Sequence, residues 1–189
     1  MKPAWTLFLD RDGVINKRNV GGYITKWADF EFEKGALSFI SSVKSFFETI
    51  VVVTNQQGVA KGAMRQSDLD EIHTNMIRKI REVGGEIHQV FSCTCLASDP
   101  DNCRKPSGDM AQQAKEIYPS IDFKHSIMIG DSVTDMQFGH RLGMKTLFIH
   151  NQLDTLEKDL KWIHSNCWFV ASDMHQALDW ITKWYANVS

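Results

Sequence analysis

The 189-residue sequence has no block of like charge, no apolar run near the length of a membrane span, and too few cysteines for a disulfide scaffold. Lys and Arg number 21 against 23 Asp and Glu, a formal charge of -2, which disfavours a dedicated nucleic-acid binder because such affinity comes largely from neutralising phosphates. The longest apolar runs, such as Ile50 to Val53, fall well below the ~18 residues that would cross a bilayer. Met1-Lys2-Pro3-Ala4-Trp5 lacks the parts of a signal peptide. The expectation is a cytoplasmic protein with neither a membrane nor a nucleic-acid partner. Of 4 cysteines, Cys93, Cys95 and Cys103 fall in one short stretch, which suggests metal chemistry rather than bridges, and Cys167 stands apart as a core residue.

The length is near the mode for a single domain, so one domain over 1–189 is expected, with about 70% of the unfolded surface buried on folding, and a monomer. Short β-branched or aromatic runs predict strands at Trp5 to Leu9, Ile50 to Thr54, Ile87 to Phe91, Ser126 to Gly130, Lys145 to Ile149 and Trp168 to Ala171. They are nearly all apolar rather than alternating, as strands covered on both faces should be. Between them, Leu37, Ile40, Val43 and Phe47 recur at helical spacing, as do Leu69, Ile72, Met76, Ile80 and Val83. The second of these helices has a capping-box pattern at Ser67 and Asp70 and a glycine exit at Gly84-Gly85. Further helices are predicted from Ser107 toward Tyr118, from Val133 to Leu142 with Gly143 as the stop, and from Asp173 to Tyr185. The alternation implies a three-layer, doubly wound parallel sheet of the α/β class. Asn16 to Lys34 and Cys93 to Lys105 break it, which marks them as functional loops.

Chemistry gathers where strands run out. The first ends in Leu9-Asp10-Arg11-Asp12-Gly13, the second in Thr54-Asn55-Gln56-Gln57-Gly58, and the fourth in Gly130-Asp131-Ser132-Val133-Thr134-Asp135. An extended chain would put Asp10 and Asp12 on one face. In an open parallel sheet the ligand crevice lies beyond the carboxyl ends of the strands, so the three termini should converge. Asp10, Asp12 and Asp131 would repel one another unless a cation neutralised them, and carboxylate oxygens with room for water and phosphate suit Mg²⁺. Asp10 can attack phosphorus, and Asp12 can protonate the leaving oxygen and then activate water. Thr54 and Asn55 offer donors to the phosphoryl oxygens. Lys105, held extended by Pro106 before a helix start at Ser107, supplies fixed positive charge.

This constellation resembles the haloacid dehalogenase (HAD) superfamily of phosphohydrolases, whose four motifs correspond to Asp10 through Val14, Thr54, Lys105, and Gly130-Asp131 through Asp135. Phe8 through Asn16, Phe30-Glu31-Phe32, Thr54 through Gly62 and Cys103-Arg104-Lys105-Pro106 are similar to the D-glycero-D-manno-heptose-1,7-bisphosphate 7-phosphatase branch, which includes histidinol phosphatases; the similarity runs in order over roughly the first 150 residues. The resemblance implies a capless Mg²⁺ phosphatase acting on a small phosphorylated sugar. In it, Asp10 is nucleophile, Asp12 proton donor, Thr54 and Lys105 phosphoryl stabilisers, and Arg104 a substrate-recognition residue. It implies Mg²⁺ held by Asp10, the Asp12 carbonyl and Asp131. The branch carries a zinc loop of Cys-x-His and Cys-x-Cys; here the pairs read Cys93-Thr94-Cys95 and Asp101-Asn102-Cys103. Either Cys93, Cys95 and Cys103 bind structural Zn²⁺ with Asp101 or another fourth ligand, or the loop is metal-free with three relic thiols. The segment Lys17 to Tyr23 is longer than its counterpart in the branch.

The leading expectation is removal of the 7-phosphate of a heptose bisphosphate, with histidinol phosphate as the alternative substrate. A polynucleotide 3′-phosphatase shares the motifs but finds no support in the charge balance. A receiver-like phosphorylation switch would also use acids, a Thr and a Lys around Mg²⁺. Its phosphorylated Asp, however, sits at a later strand, and a long-lived switch should avoid a hydrolytic group such as Asp12.

Overall fold

The structure, a computed structural model, describes residues 4–150 and 156–188. Its strands are β1 (Thr6–Leu9), β2 (Thr49–Asn55), β3 (Gln89–Cys93), β4 (Ser126–Gly130), β5 (Lys145–Ile149) and β6 (Phe169–Ala171). All pair in parallel, in the order β3-β2-β1-β4-β5-β6. The helices are α1 (Ala36–Val43), α2 (Gln66–Glu82), α3 (Asp109–Ile117), α4 (Val133–Leu142), α5 (Glu157–Asn166) and α6 (Met174–Val188).

Side chains alternate across the pleat and sort the core into two layers. Leu7, Leu9, Ile50, Val52, Ile127, Ile129, Leu147 and Ile149 face one cluster with Phe39 and Ile40 of α1, Met76 and Ile80 of α2, and Ala177 and Ile181 of α6. Phe8, Val51, Val53, Met128 and Phe148 face the other, with Met110 of α3, Met136 and Phe138 of α4, and Ile163 of α5. Both faces are covered, which is why the strands carry no polar alternation.

The chain leaves β1 for β2 and β3 on one side, then returns to β4 and proceeds to β5 and β6 on the other. The order reverses between β1 and β4, and the crevice at their carboxyl ends is where such sheets bind ligands. Segments 10–35 and 94–108 contain no α-helix and no strand of the sheet.

The local expectations shift by small steps. β3 begins and ends two residues later than its apolar run suggests. α1 stops at Val43, and Phe47, at 5% exposure, reaches the same core from the turn into β2. The N-terminal box of α2 uses Arg65 and Asp68 rather than Ser67 and Asp70, because the helix starts at Gln66. α3 starts at Asp109 rather than Ser107, and the Lys105–Pro106 peptide bond is cis. Gly143 is left-handed and ends α4 as expected.

Candidate active site

Asp10 follows β1, its N–H donating to the Ile129 carbonyl of β4 at 2.9 Å, so the backbone pairing carries it to the switch point. Asp131 arrives from the β4–α4 connection and Asp135 from the first turn of α4. Carboxylate oxygens of Asp10, Asp131 and Asp135 lie within 4.8 Å of one another, and all three residues are buried. Gly13, at φ +88°, packs against this cluster; a Cβ built there would fall on the Asp131 carboxylate, so only glycine lets the β1 turn approach it.

Lys105 enters from the loop before α3. Its ammonium contacts Asp10 Oδ1 at 2.6 Å and Asp135 Oδ1 at 2.6 Å, and donates to the Val53 carbonyl at 2.7 Å, which uses all three of its protons. Burial opposes its charge, but the two carboxylates outweigh that and raise its pKa. Burial likewise pushes Asp10 up to about 7; Lys105 opposes this, while Asp135 and Asp12 add to it. Asp131 is raised well above the carboxylate range by burial and by Asp10 and Asp135, against Arg18 and Lys105. Burial and mutual repulsion thus hold Asp10 and Asp131 back from ionising together, and their full ionisation calls for a compensating cation.

The expectation that Asp10 and Asp12 share a face is corrected. β1 ends at Leu9 and the chain turns at Gly13, so the Asp12 carboxylate lies apart from the acid cluster. Arg11 Nη2 donates to both its oxygens at 2.9 and 3.0 Å, Asn16 Nδ2 to Oδ1 at 2.9 Å, and Gln56 Nε2 to Oδ2 at 2.8 Å. Burial works to raise Asp12, yet the Arg11 charge and these hydrogen bonds hold it below the usual carboxylate value. Arg11 is itself wholly buried and meets His73 Nε2 of α2 at 3.3 Å. Burial and the Arg11 charge push His73 down to about 4, so its neutral ring can accept from the guanidinium.

Thr54 and Asn55 end β2 at the cleft. Thr54 Oγ1 accepts from Gln56 Nε2 at 2.9 Å. Asn55 Oδ1 accepts from the Lys105 N–H at 2.9 Å and its Nδ2 donates to the Lys105 carbonyl at 3.4 Å, so this amide braces the lysine backbone rather than offering itself wholly to a ligand. Arg104 lines the same cleft of about 360 Å³, as do Arg18 and Tyr23 of the long 17–23 segment.

The cysteine expectation is met in place and altered in state. Cys93, Cys95 and Cys103 sulfurs lie within 4.8 Å of one another, but Cys93 and Cys103 form a disulfide and the Cys95 sulfur is 3.8 Å from that of Cys103. A bridge removes two of the three thiolates a zinc ion would take. Asp101 is exposed and does not join the cluster. Cys167 is half-buried at the edge of the second core layer.

Among the site residues given no role from the sequence are Asp135, Gln56 and His73. The first had a visible signal, since Ser132-x-x-Asp135 is a capping box that places an acid in the first turn of α4, and the structure shows both halves of that box.

A parallel sheet with an acid pair after its first strand, a buried lysine and further acids after β4 defines a phosphatase of the HAD class. A HAD-hydrolase-like family model matches residues 102–177. The D-glycero-α-D-manno-heptose-1,7-bisphosphate 7-phosphatase of Mycobacterium bovis is 36% identical over 138 residues, 73% of each chain. The corresponding β-anomer enzyme of Helicobacter pylori is 30% identical over 177 residues, 93% of this chain and 95% of that one. The crystal structure of D,D-heptose 1,7-bisphosphate phosphatase from B. bronchiseptica, complexed with magnesium and phosphate, superposes with a TM-score of 0.81 at 24% identity, covering 95% of this chain and 98% of that one. The chain belongs to the D-glycero-D-manno-heptose-1,7-bisphosphate 7-phosphatase family and is a phosphoric monoester hydrolase.

Proposed function

We propose that the protein removes the 7-phosphate of D-glycero-D-manno-heptose 1,7-bisphosphate through a covalent intermediate on Asp10. The observation that carries this reading is the contrast between two neighbouring carboxylates: Asp10 in a buried acid cluster against Lys105, and Asp12 fixed apart by three donors. Relatives at 36% and 30% identity supply the substrate class.

An Asp10 carboxylate oxygen bonds to phosphorus as the ester P–O bond breaks, and a proton from Asp12 goes to the departing sugar oxygen. Asp12 then takes a proton from water, whose oxygen bonds to phosphorus and releases inorganic phosphate and the Asp10 carboxylate. In the free protein the donors around Asp12 favour its charged form, the form that accepts a proton. A phosphate dianion nearby favours the protonated form needed for the first step. Lys105 and Thr54 line the same cleft, and in this reading the lysine's charge and the Thr54 hydroxyl stabilise the charge that develops on the phosphoryl oxygens.

The acid cluster fits a divalent cation. Its oxygens are hard ligands, three ionised carboxylates would exceed the charge of Lys105 and Arg18, and the cleft leaves room for water and phosphate. Both oxygens of Asp135 are engaged, one by Lys105 and the other by Ser132, so Asp10 and Asp131 with the Asp12 carbonyl are the proposed Mg²⁺ ligands. When bound, Mg²⁺ would neutralise the cluster and polarise a phosphoryl oxygen. The reduced form of the cysteine loop would present Cys93, Cys95 and Cys103 to Zn²⁺, which would fix the segment leading to Arg104 and Lys105.

The test is a panel of kcat/KM values for both heptose bisphosphate anomers, histidinol phosphate and an aryl phosphate. One bisphosphate anomer is expected to lead; histidinol phosphate matching or exceeding both anomers would overturn the assignment.

A further inference from the structure

α2 carries a polar side chain where its apolar stripe would place a hydrophobic one. Leu69, Ile72, Met76 and Ile80 are wholly buried, and His73, four residues after Leu69 and three before Met76, shares their face. Its Nε2 meets Arg11 Nη1 at 3.3 Å. Arg11 is shut from water and held at two points. Nη2 donates to both Asp12 oxygens at 2.9 and 3.0 Å, Nη1 donates to His73, and Nε is buried with no hydrogen-bond partner. The direction of this planar fork is therefore set by Asp12 at one end and by His73 at the other. The chemistry of the second point matters. A carboxylate there would share the guanidinium's charge, whereas a neutral imidazole satisfies Nη1 and leaves that charge to Asp12. Burial and Arg11 keep the ring neutral, against Asp12 and Asp70, which pull the other way.

We propose that His73 is a positioning residue for the reaction: it anchors the Arg11 guanidinium through Nη1 and thereby aims the Asp12 carboxyl at the departing ester oxygen. This rests on the reading of Asp12 as proton carrier, and it is independent of which sugar phosphate is the substrate. Asn16 and Gln56 each fix one oxygen of Asp12, and Arg11 spans both, so a drift of its fork moves the whole carboxylate. Four buried side chains hold α2 in place, and a helix presents a supporting group more precisely than a loop does. Displacing a reacting group by about 1 Å through a change remote from the chemistry can cost on the order of a hundredfold in rate.

The experiment uses the full chain and three variants. His73→Leu keeps much of the volume and offers no acceptor, His73→Gln has an amide oxygen that reaches about as far as Nε2, and Asp12→Asn is the reference for lost proton donation. Each is assayed by kcat/KM on the best alkyl phosphate of the substrate panel, whose oxygen needs a proton to leave, and on p-nitrophenyl phosphate, whose phenolate leaves without one. Asp12→Asn should lose about a hundredfold or more on the alkyl ester beyond its loss on the aryl ester. His73→Leu should show an excess of the same sign, roughly tenfold, the scale of one hydrogen bond to a charged group, and His73→Gln should recover most of it. A histidine that only supports the fold would lower both substrates alike. Equal losses in His73→Leu, or no recovery in His73→Gln, therefore overturn the positioning role. No excess in Asp12→Asn faults the proton-carrier reading instead, and a crystal structure of His73→Leu then decides the link: Arg11 drawn away from the Asp12 oxygens is the expected result, and an unmoved Arg11 overturns it. Should circular dichroism show His73→Leu unfolded, His73→Ala is read in its place by the same criteria.

Discussion

Replacing Lys105 by methionine would separate the lysine's electrostatic role from its volume. Methionine is of similar length and apolar, so it fills the space while leaving Asp10 and Asp135 without the ammonium that now sits 2.6 Å from each. Breaking a buried pair in this way typically costs about 3–5 kcal/mol, because the remaining charge is left uncompensated. The pH dependence has a definite sign. Asp10 in the fold is already pushed up to about 7 from 3.8, so between those values the folded chain binds more protons than the unfolded one. Stability from this group is therefore greatest at low pH and is lost as pH rises through the folded pKa. Without Lys105 the carboxylate shifts further up, so the deficit relative to wild type should be largest near pH 8 and smaller near pH 5. Urea unfolding followed by circular dichroism at the two pH values measures it, and added Mg²⁺ should narrow the deficit at pH 8 by supplying a replacement charge. A variant within about 1 kcal/mol of wild type at pH 8 without Mg²⁺, or a deficit that grows on acidification, would refute the claim that Lys105 neutralises this cluster.

Three further outcomes are expected. Asp10→Asn should abolish phosphatase turnover while retaining the native circular dichroism spectrum; appreciable kcat, once deamidation is excluded, would sink the covalent route. His73 is held at about 4 against an ordinary 6.5, so the stability it contributes is present above 6.5 and is lost as pH falls toward 4, by at most about 3 kcal/mol. His73→Gln should remove that part of the acid slope in urea titrations, and identical slopes for variant and wild type would show that the ring does not stay neutral against Arg11. Protein purified under reducing conditions should carry about one zinc per chain if the Cys93, Cys95 and Cys103 thiolates bind it, whereas no zinc under those conditions would leave only the disulfide seen between Cys93 and Cys103.

Much of the fold is legible because each strand is apolar on both faces and each gap is long enough for a crossover helix. The regions of all six strands were readable on that basis. α5 was not, and the reason is its thin core face: among its residues only Ile163 is fully buried, so Glu157 to Asn166 carries little apolar periodicity to detect. The capping box of α2 was misplaced by two residues because Arg65 and Ser67 each have an acid three positions on. Only the position of the first helical hydrogen bond decides between them.

The site was legible where position in the sheet fixes it and illegible where packing does. Asp10 and Asp131 follow from parallel topology, since any residue just past β1 or β4 must reach the crevice. The pairs Arg11–His73 and Arg18–Asp131 join residues far apart in sequence, and no local pattern announces them. The fate of Asp12 shows the limit most clearly. In sequence it is the twin of Asp10, two residues away, and an extended chain would give both the same surroundings. The turn at Gly13 ends that equivalence. One carboxylate goes to an acid cluster and is raised to about 7, and the other goes to Arg11, Asn16 and Gln56 and is lowered. Splitting two like groups by environment is how a single pair of acids can serve as nucleophile and proton carrier, and the split is made by residues that approach from α2, from the β2 terminus and from the 16–17 turn.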